Sequence, residues 1–160
     1  NEDDDICSGL SLTMFFIKKF LDTFNFNDLT NFYVIGISYR NADLYTRGKY
    51  SLSKVQKLTI LKKAQVQGIK EIFISSTCNR TEIYFFADNP SKIIDLLCEN
   101  SKGDRETLEN LGYTLKNTEA INHIFKVGTG LDSQILGDFE IIGQLNNGVT
   151  HSKIIHHIRI

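Results

Sequence analysis

From Phe32 to Ser38 the chain reads Phe-Tyr-Val-Ile-Gly-Ile-Ser, a nearly unbroken run of β-branched and aromatic residues closed by polar turn material, which predicts a central strand. The period then changes. Val55, Leu58 and Leu61, flanked by Ile60 and Ala64, recur at helical spacing, with Ser53 placed to cap the start of the helix and Gly68 to end it. Glu71 to Ser76 predicts a second strand and Thr81 to Ala87 a third, and the few residues between them make the pair an antiparallel hairpin. Pro90 falls in the first turn of a helix whose apolar set is Ile93, Ile94, Leu96 and Leu97. Gly112 to Lys116 reads as a short fourth strand, after which Asn117 or Thr118 caps a helix carrying Ala120, Ile121, Ile124 and Phe125.

The resulting order, β-α-β-β-α-β, predicts an α+β fold of the ferredoxin-like, split βαβ kind: an antiparallel sheet with helices on one face and additional C-terminal helices. A chain of 160 residues suits one domain with a sizeable core. Residues 1–31 are expected to form an N-terminal extension, opened by Asn1-Glu2-Asp3-Asp4-Asp5 and partly disordered, with Met14 as a candidate natural start. The main domain is expected over 32–145, and 146–160 reads as an atypical tail.

Composition narrows the class of protein. The hydrophobic fraction of 41% belongs to a globular protein, and no apolar run approaches the roughly 20 residues of a membrane-spanning helix. Met14-Phe15-Phe16-Ile17 is too short for a signal-peptide core and is followed by Lys18-Lys19, so a soluble, cytoplasmic protein without membrane contact is expected. Cys7, Cys78 and Cys98 match neither a disulfide framework nor a CxxC metal site and are expected as thiols. His151, His156 and His157 with His123 make a poor metal set, because adjacent histidines cannot share one face of a strand, and no metal is expected. A net charge of −1 confines any RNA contact to local cations. Lys54, Lys57, Lys62, Lys63 and Lys70 with Arg40 and Arg47 are the candidates, a solvated helix face being the plainer reading of the lysines.

The chemistry concentrates in Ser76-Thr77-Cys78-Asn79-Arg80-Thr81-Glu82, where a thiol sits at the point at which a strand gives way to a polar turn. Hydrogen-bond donors and one permanent positive charge surround it, conditions that favour thiolate over thiol. A buried, inert cysteine is the alternative reading of the residue alone. Arg80 likewise reads two ways: as a fork for a substrate carboxylate, or as the partner of Glu82 in an ion pair. His123 borders an apolar helical face, where it is either a satisfied core histidine or a proton-transfer group.

Three ordered blocks carry a resemblance. Ser76 to Tyr84, then His123-Ile124-Phe125-Lys126-Val127, then Gly130 to Gln144 together resemble the N-terminal catalytic domain of glutamyl-tRNA reductase, over about Tyr33 to Leu145. The resemblance implies NADPH-dependent reduction of glutamyl-tRNA(Glu) to glutamate-1-semialdehyde, the first step of five-carbon tetrapyrrole (porphyrin and heme) synthesis, through a cysteine thioester. Cys78 would be the nucleophile and His123 a second catalytic group. Arg80 would read the γ-carboxylate, with Thr77, Asn79, Ser133, Asp138 and Gln144 around the glutamyl group. Glutamate-1-semialdehyde aminomutase is the implied partner, and the family implies a homodimer at full length, with a monomer open to this chain.

The chain departs from the family's usual pattern at Gln134, at Asp138-Phe139-Glu140, and at Ser38-Tyr39-Arg40-Asn41-Ala42, which keeps a cation but lacks a histidine. After the Gly143-Gln144 pair, Asn146-Asn147-Gly148 interrupts what the family continues as a long helix leading to nucleotide-binding and dimerisation domains. No Gly-x-Gly-x-x-Gly run opens a helix after a strand. A fragment is therefore expected, without NADPH of its own and limited to forming and hydrolysing the thioester. The competing expectation is a non-catalytic module that binds glutamyl-tRNA or a partner.

Overall fold

The computed structural model describes residues 30–129 and 131–132. Four strands form one antiparallel sheet: β1 (Phe32–Ser38), β2 (Ile72–Ser76), β3 (Arg80–Phe86) and β4 (Tyr113–Lys116). Their spatial order is β2-β3-β1-β4, and each neighbouring pair is antiparallel, as the split βαβ arrangement requires. Five helices complete the described chain: α1 (Leu44–Lys49), α2 (Lys54–Val66), α3 (Ser91–Asn100), α4 (Arg105–Leu111) and α5 (Thr118–Gly128).

All seven residues of β1 are buried, which explains its unbroken apolar run: the strand is central in order and covered on both faces. Tyr33, Ile35 and Ile37 join one core cluster with Ile60, Leu61 and Ala64 of α2, Ile93, Leu96 and Leu97 of α3, and Leu108 of α4. Phe32 and Val34 point the other way, into a second cluster with Phe73, Tyr84 and Ala120, Ile124 and Val127 of α5. The split unit thus buries α2 and α3 on one face, and the appended α5 takes the face they leave open.

Local signals agree with the boundaries. Ser53 caps α2 in a full capping box, its hydroxyl accepting from Gln56 N at 3.3 Å while the Gln56 side chain accepts from Ser53 N at 2.8 Å. Gly68 follows the last turn with a φ of 85°, a conformation that suits glycine. Asn117 stands at the start of α5, yet its φ is 52° and its side chain makes no cap bond; the helix entry is held instead by Asn117 N donating to Phe32 O at 2.8 Å. Two helices lack a sequence expectation: α1, none of whose residues is buried, and α4, which buries Leu108 alone.

Among the described residues no helix is long and apolar enough to cross a membrane. Residues 1–29, including Cys7 and Met14, the tail 146–160 with its three histidines, and Ser133, Gln134, Asp138 and Gln144 lie outside the described residues.

Candidate active site

Only Thr77, Cys78 and Asn79 separate β2 from β3, and a set of hydrogen bonds holds the shape of this short connection. Thr77 N donates to Arg80 O at 2.8 Å, and the Thr77 hydroxyl accepts from Asn79 N at 3.1 Å and Arg80 N at 3.2 Å. A threonine turn of this kind replaces ladder bonds by side-chain bonds and fixes the tip. Two outside segments pin it further: Tyr39 N donates to Asn79 O at 2.9 Å, and Arg47 Nε of α1 donates to Cys78 O at 3.3 Å. Cys78 is exposed at this tip, whereas Cys98 is half-buried on α3, where burial pushes its thiol pKa up.

Beneath the turn lies a buried polar cluster centred on Glu82, which has no exposed surface. One carboxylate oxygen accepts from His123 Nε2 at 2.6 Å, from Arg80 Nη1 at 3.3 Å and from the Tyr113 hydroxyl; the other accepts from the Tyr84 hydroxyl at 2.5 Å. Burial alone would raise the Glu82 pKa, but the hydrogen bond and charge of His123, the charge of Arg80 and the Tyr113 bond overcome it and hold it at about 2. Burial, followed by the charge of Glu82, pushes both phenols well above their ordinary range, so Tyr84 and Tyr113 remain neutral donors. An ionised carboxylate only accepts, so Nε2 of His123 carries the proton in this contact, and Nδ1 is the nitrogen left for other partners.

Space for this cluster comes from Gly36, which faces Glu82 across the β1–β3 pairing and Tyr113 across the β1–β4 pairing. A Cβ there would lie 2.7 Å from Thr81 O, 2.8 Å from Glu82 Cγ and 3.2 Å from the Tyr113 hydroxyl oxygen. The glycine is required by close approach, not by its backbone angles.

Arg80 is 2% exposed and takes part in two ion pairs. Nη1 reaches Asp132 Oδ2 at 2.9 Å as well as Glu82, and Nη2 donates to Asp132 O. Burial would lower its pKa, but Glu82, Tyr113 and Asp132 outweigh this, and the guanidinium is held above its ordinary value. Asp132 in turn accepts from Arg40 Nε with its other oxygen. The ion pair between Arg80 and Glu82, one of the two readings open in the sequence, is therefore present, with Asp132 as a stronger second partner.

The structure brings Thr77, Cys78, Asn79, Arg80 and His123 into one neighbourhood through the hairpin and the Glu82 cluster. Tyr84, Tyr113 and Asp132 complete that neighbourhood without having been singled out by pattern, and Glu82, read from the sequence only as a possible ion-pair partner of Arg80, lies at its centre. Of the candidate RNA-facing cations, Arg40 and Arg47 stand by the thiol turn, whereas Lys54 and Lys62 are exposed on α2, Lys57 is half-buried, and Lys63 pairs with Glu99 at 3.2 Å.

The architecture and site define an α+β domain of the split βαβ kind, with an exposed thiol on a rigid hairpin turn over a buried ionic network. The family model for the glutamyl-tRNA(Glu) reductase N-terminal domain matches residues 35–159, and the chain belongs to that family. It is 54% identical over 124 residues to the glutamyl-tRNA reductase of Flavobacterium psychrophilum, covering 78% of this chain and 30% of that protein. It is 39% identical over 124 residues to the glutamyl-tRNA reductase of Clostridium novyi, covering 76% of this chain and 30% of the relative. The solved structure of glutamyl-tRNA reductase from Methanopyrus kandleri superposes with a TM-score of 0.64 at 20% identity, over 81% of this chain and 30% of the other, and so shares the fold. The chain spans about 30% of the length of these relatives.

Proposed function

We propose that this domain carries the acyl-transfer half of glutamyl-tRNA reduction, in a cytoplasmic enzyme of five-carbon tetrapyrrole synthesis. Cys78 Sγ, as thiolate, attacks the carbonyl carbon of the glutamyl ester; the tetrahedral oxyanion collapses, the bond to the ribose oxygen breaks, and that oxygen leaves with a proton. His123 supplies and takes back protons through Nδ1, its Nε2–H being committed to Glu82. Thr77 and Asn79 hold the turn and meet polar groups of the substrate, Arg80 answers for the γ-carboxylate, and Ser133, Asp138 and Gln144 contribute from the segment beyond the described residues. The observation that carries the reading is the exposed thiol at the tip of a turn pinned by two outside segments, two residues from a buried guanidinium, in a chain of this family.

NADPH would supply the hydride that converts the thioester to the aldehyde. The described residues do not fit it: their sheet is antiparallel throughout, and no strand passes through a glycine turn into a helix to receive a pyrophosphate. Water is the acceptor that completes the turnover of this domain, attacking the thioester carbonyl and releasing glutamate and the free thiol. At full length the enzyme is a homodimer that passes its semialdehyde to glutamate-1-semialdehyde aminomutase.

The test is discharge of glutamyl-tRNA labelled in the glutamyl group. The chain releases labelled glutamate faster than the spontaneous rate, and Cys78→Ser does not. Equal release by Cys78→Ser overturns the assignment of the nucleophile, and tight retention of glutamyl-tRNA without discharge by either protein points to a binding module instead.

A further inference from the structure

Asp132 stands between two guanidinium groups. Its Oδ1 accepts from Arg40 Nε and its Oδ2 from Arg80 Nη1 at 2.9 Å, an arrangement that only a carboxylate, with acceptor oxygens on both sides, satisfies. Both guanidinium groups also lie against the ring of Tyr39, Arg40 with its Cζ 5.7 Å and Arg80 with its Cζ 6.0 Å from the centroid. Tyr39 N bonds Asn79 O at 2.9 Å, which ties this pair of cations to the turn that presents Cys78. Two cations sharing one aromatic ring repel each other, so the seat requires an anion.

Arg80 is buried, but the Arg40 side chain is 57% exposed, so the seat opens to solvent on the Arg40 side. Among the described residues Arg80 Nε is buried without a hydrogen-bond partner, so the seat has a donor to spare. The backbone of Asp132 is held independently of its carboxylate, by Asp132 N donating to Lys126 O at 3.1 Å and Arg80 Nη2 donating to Asp132 O. Rotation of the Asp132 side chain alone would therefore vacate the seat and leave the segment in place.

We propose that the carboxylate of Asp132 marks the seat taken by the γ-carboxylate of the substrate, and that Arg40 is a second specificity-determining residue there, the one through which the substrate exchanges with Asp132. This rests on the reading of the domain as acting on a glutamyl ester. It adds to that reading a cation at position 40 and an internal competitor at position 132. Exchange of one carboxylate for another conserves charge in the seat, which a neutral side chain such as glutamine does not.

Two measurements test it. In the first, discharge of glutamyl-tRNA is compared with that of glutaminyl-tRNA. Arg40→Gln is expected to raise KM for the glutamyl substrate about tenfold, the loss of one charge-assisted bond at a half-exposed site, with kcat little changed. Discharge of the glutaminyl substrate should not move. Asp132→Asn should lower KM for the glutamyl substrate, and Arg40→Lys should restore part of the loss. Full preference for glutamyl in Arg40→Gln overturns the proposal.

The second measurement needs no acyl transfer. The side-chain Nε–H resonances of Arg40 and Arg80 are followed by NMR while glutamate α-methyl ester, which presents only the γ-carboxylate, is added to the 160-residue chain. Both resonances are expected to shift in the chain as it stands, and the Arg80 shift should require more ester in Arg40→Gln. Absence of any shift at saturating ester overturns the seat even if Cys78 proves reactive; shifts without discharge of glutamyl-tRNA leave the seat standing and remove the nucleophile.

Discussion

Replacing Glu82 by glutamine separates the charge of the buried carboxylate from its shape. The amide oxygen still accepts from His123, Arg80 and Tyr113, and the amide nitrogen can donate to the Tyr84 hydroxyl, whose bond to residue 82 is reversed in direction. What disappears is the negative charge. Glu82 has its pKa held at about 2 against an ordinary 4.5, which by linkage corresponds to about 3 kcal/mol favouring the folded state when the group is ionised. Because the folded-state pKa is the lower one, this contribution is fully present above the unfolded value of 4.5 and is lost as pH falls toward 2. Glu82→Gln, close in form to the protonated acid, should therefore cost about 3 kcal/mol at neutral pH and progressively less as the solution is acidified. Asp43 and Asp104, whose pKa values are also lowered at helix caps, titrate alike in both proteins and cancel in the difference. Glu82→Ala should cost more at every pH, since it adds a cavity and takes away the acceptor that the Tyr84 and Tyr113 hydroxyls share, a further penalty of about 1–3 kcal/mol. Urea unfolding followed by far-ultraviolet circular dichroism between neutral and strongly acidic pH measures all three proteins. A gap between the parent and Glu82→Gln that does not narrow on acidification would refute the argument that the network is held by charge.

Two further outcomes are expected. Gly36→Ala should lower stability by about 1–3 kcal/mol in the same unfolding assay, because its new methyl group must displace Glu82 or the Thr81 carbonyl; a change under about 0.5 kcal/mol would contradict the close approach described. Iodoacetamide near neutral pH should modify the exposed Cys78 before the half-buried Cys98, whose thiol burial pushes up, and peptide mapping that finds Cys98 modified first would contradict the site.

Much of the fold was legible because the chain states it locally. β1 was bounded by its own apolar run, α2 by Ser53 and Gly68, and the hairpin by the three polar residues between two apolar stretches. The two short helices were not legible: α1 buries nothing and α4 buries only Leu108, so neither writes an apolar period into the sequence. The motif around Cys78 gave the site's location and its first residues. It did not give the network beneath, because Glu82 and Tyr84 occupy alternate positions of a strand that reads as amphipathic, and the face they share becomes an interior only when α5 packs on it. Asp132 was equally silent: its pairing with Arg40 and Arg80 spans 92 and 52 residues of sequence. Arg47, a candidate RNA contact, has a role the sequence did not show: it steadies the thiol turn through Cys78 O and is anchored to Ala42 O at 2.6 Å.

The central claim is that one sulfur receives the acyl group, and the intact mass of the chain after brief exposure to glutamyl-tRNA, quenched in acid and followed by peptide mapping, tests it most directly. The account predicts a single glutamyl adduct on the peptide containing Cys78, absent when Cys78→Ser is treated in the same way. An adduct on another peptide, or an equal adduct on Cys78→Ser, would contradict it.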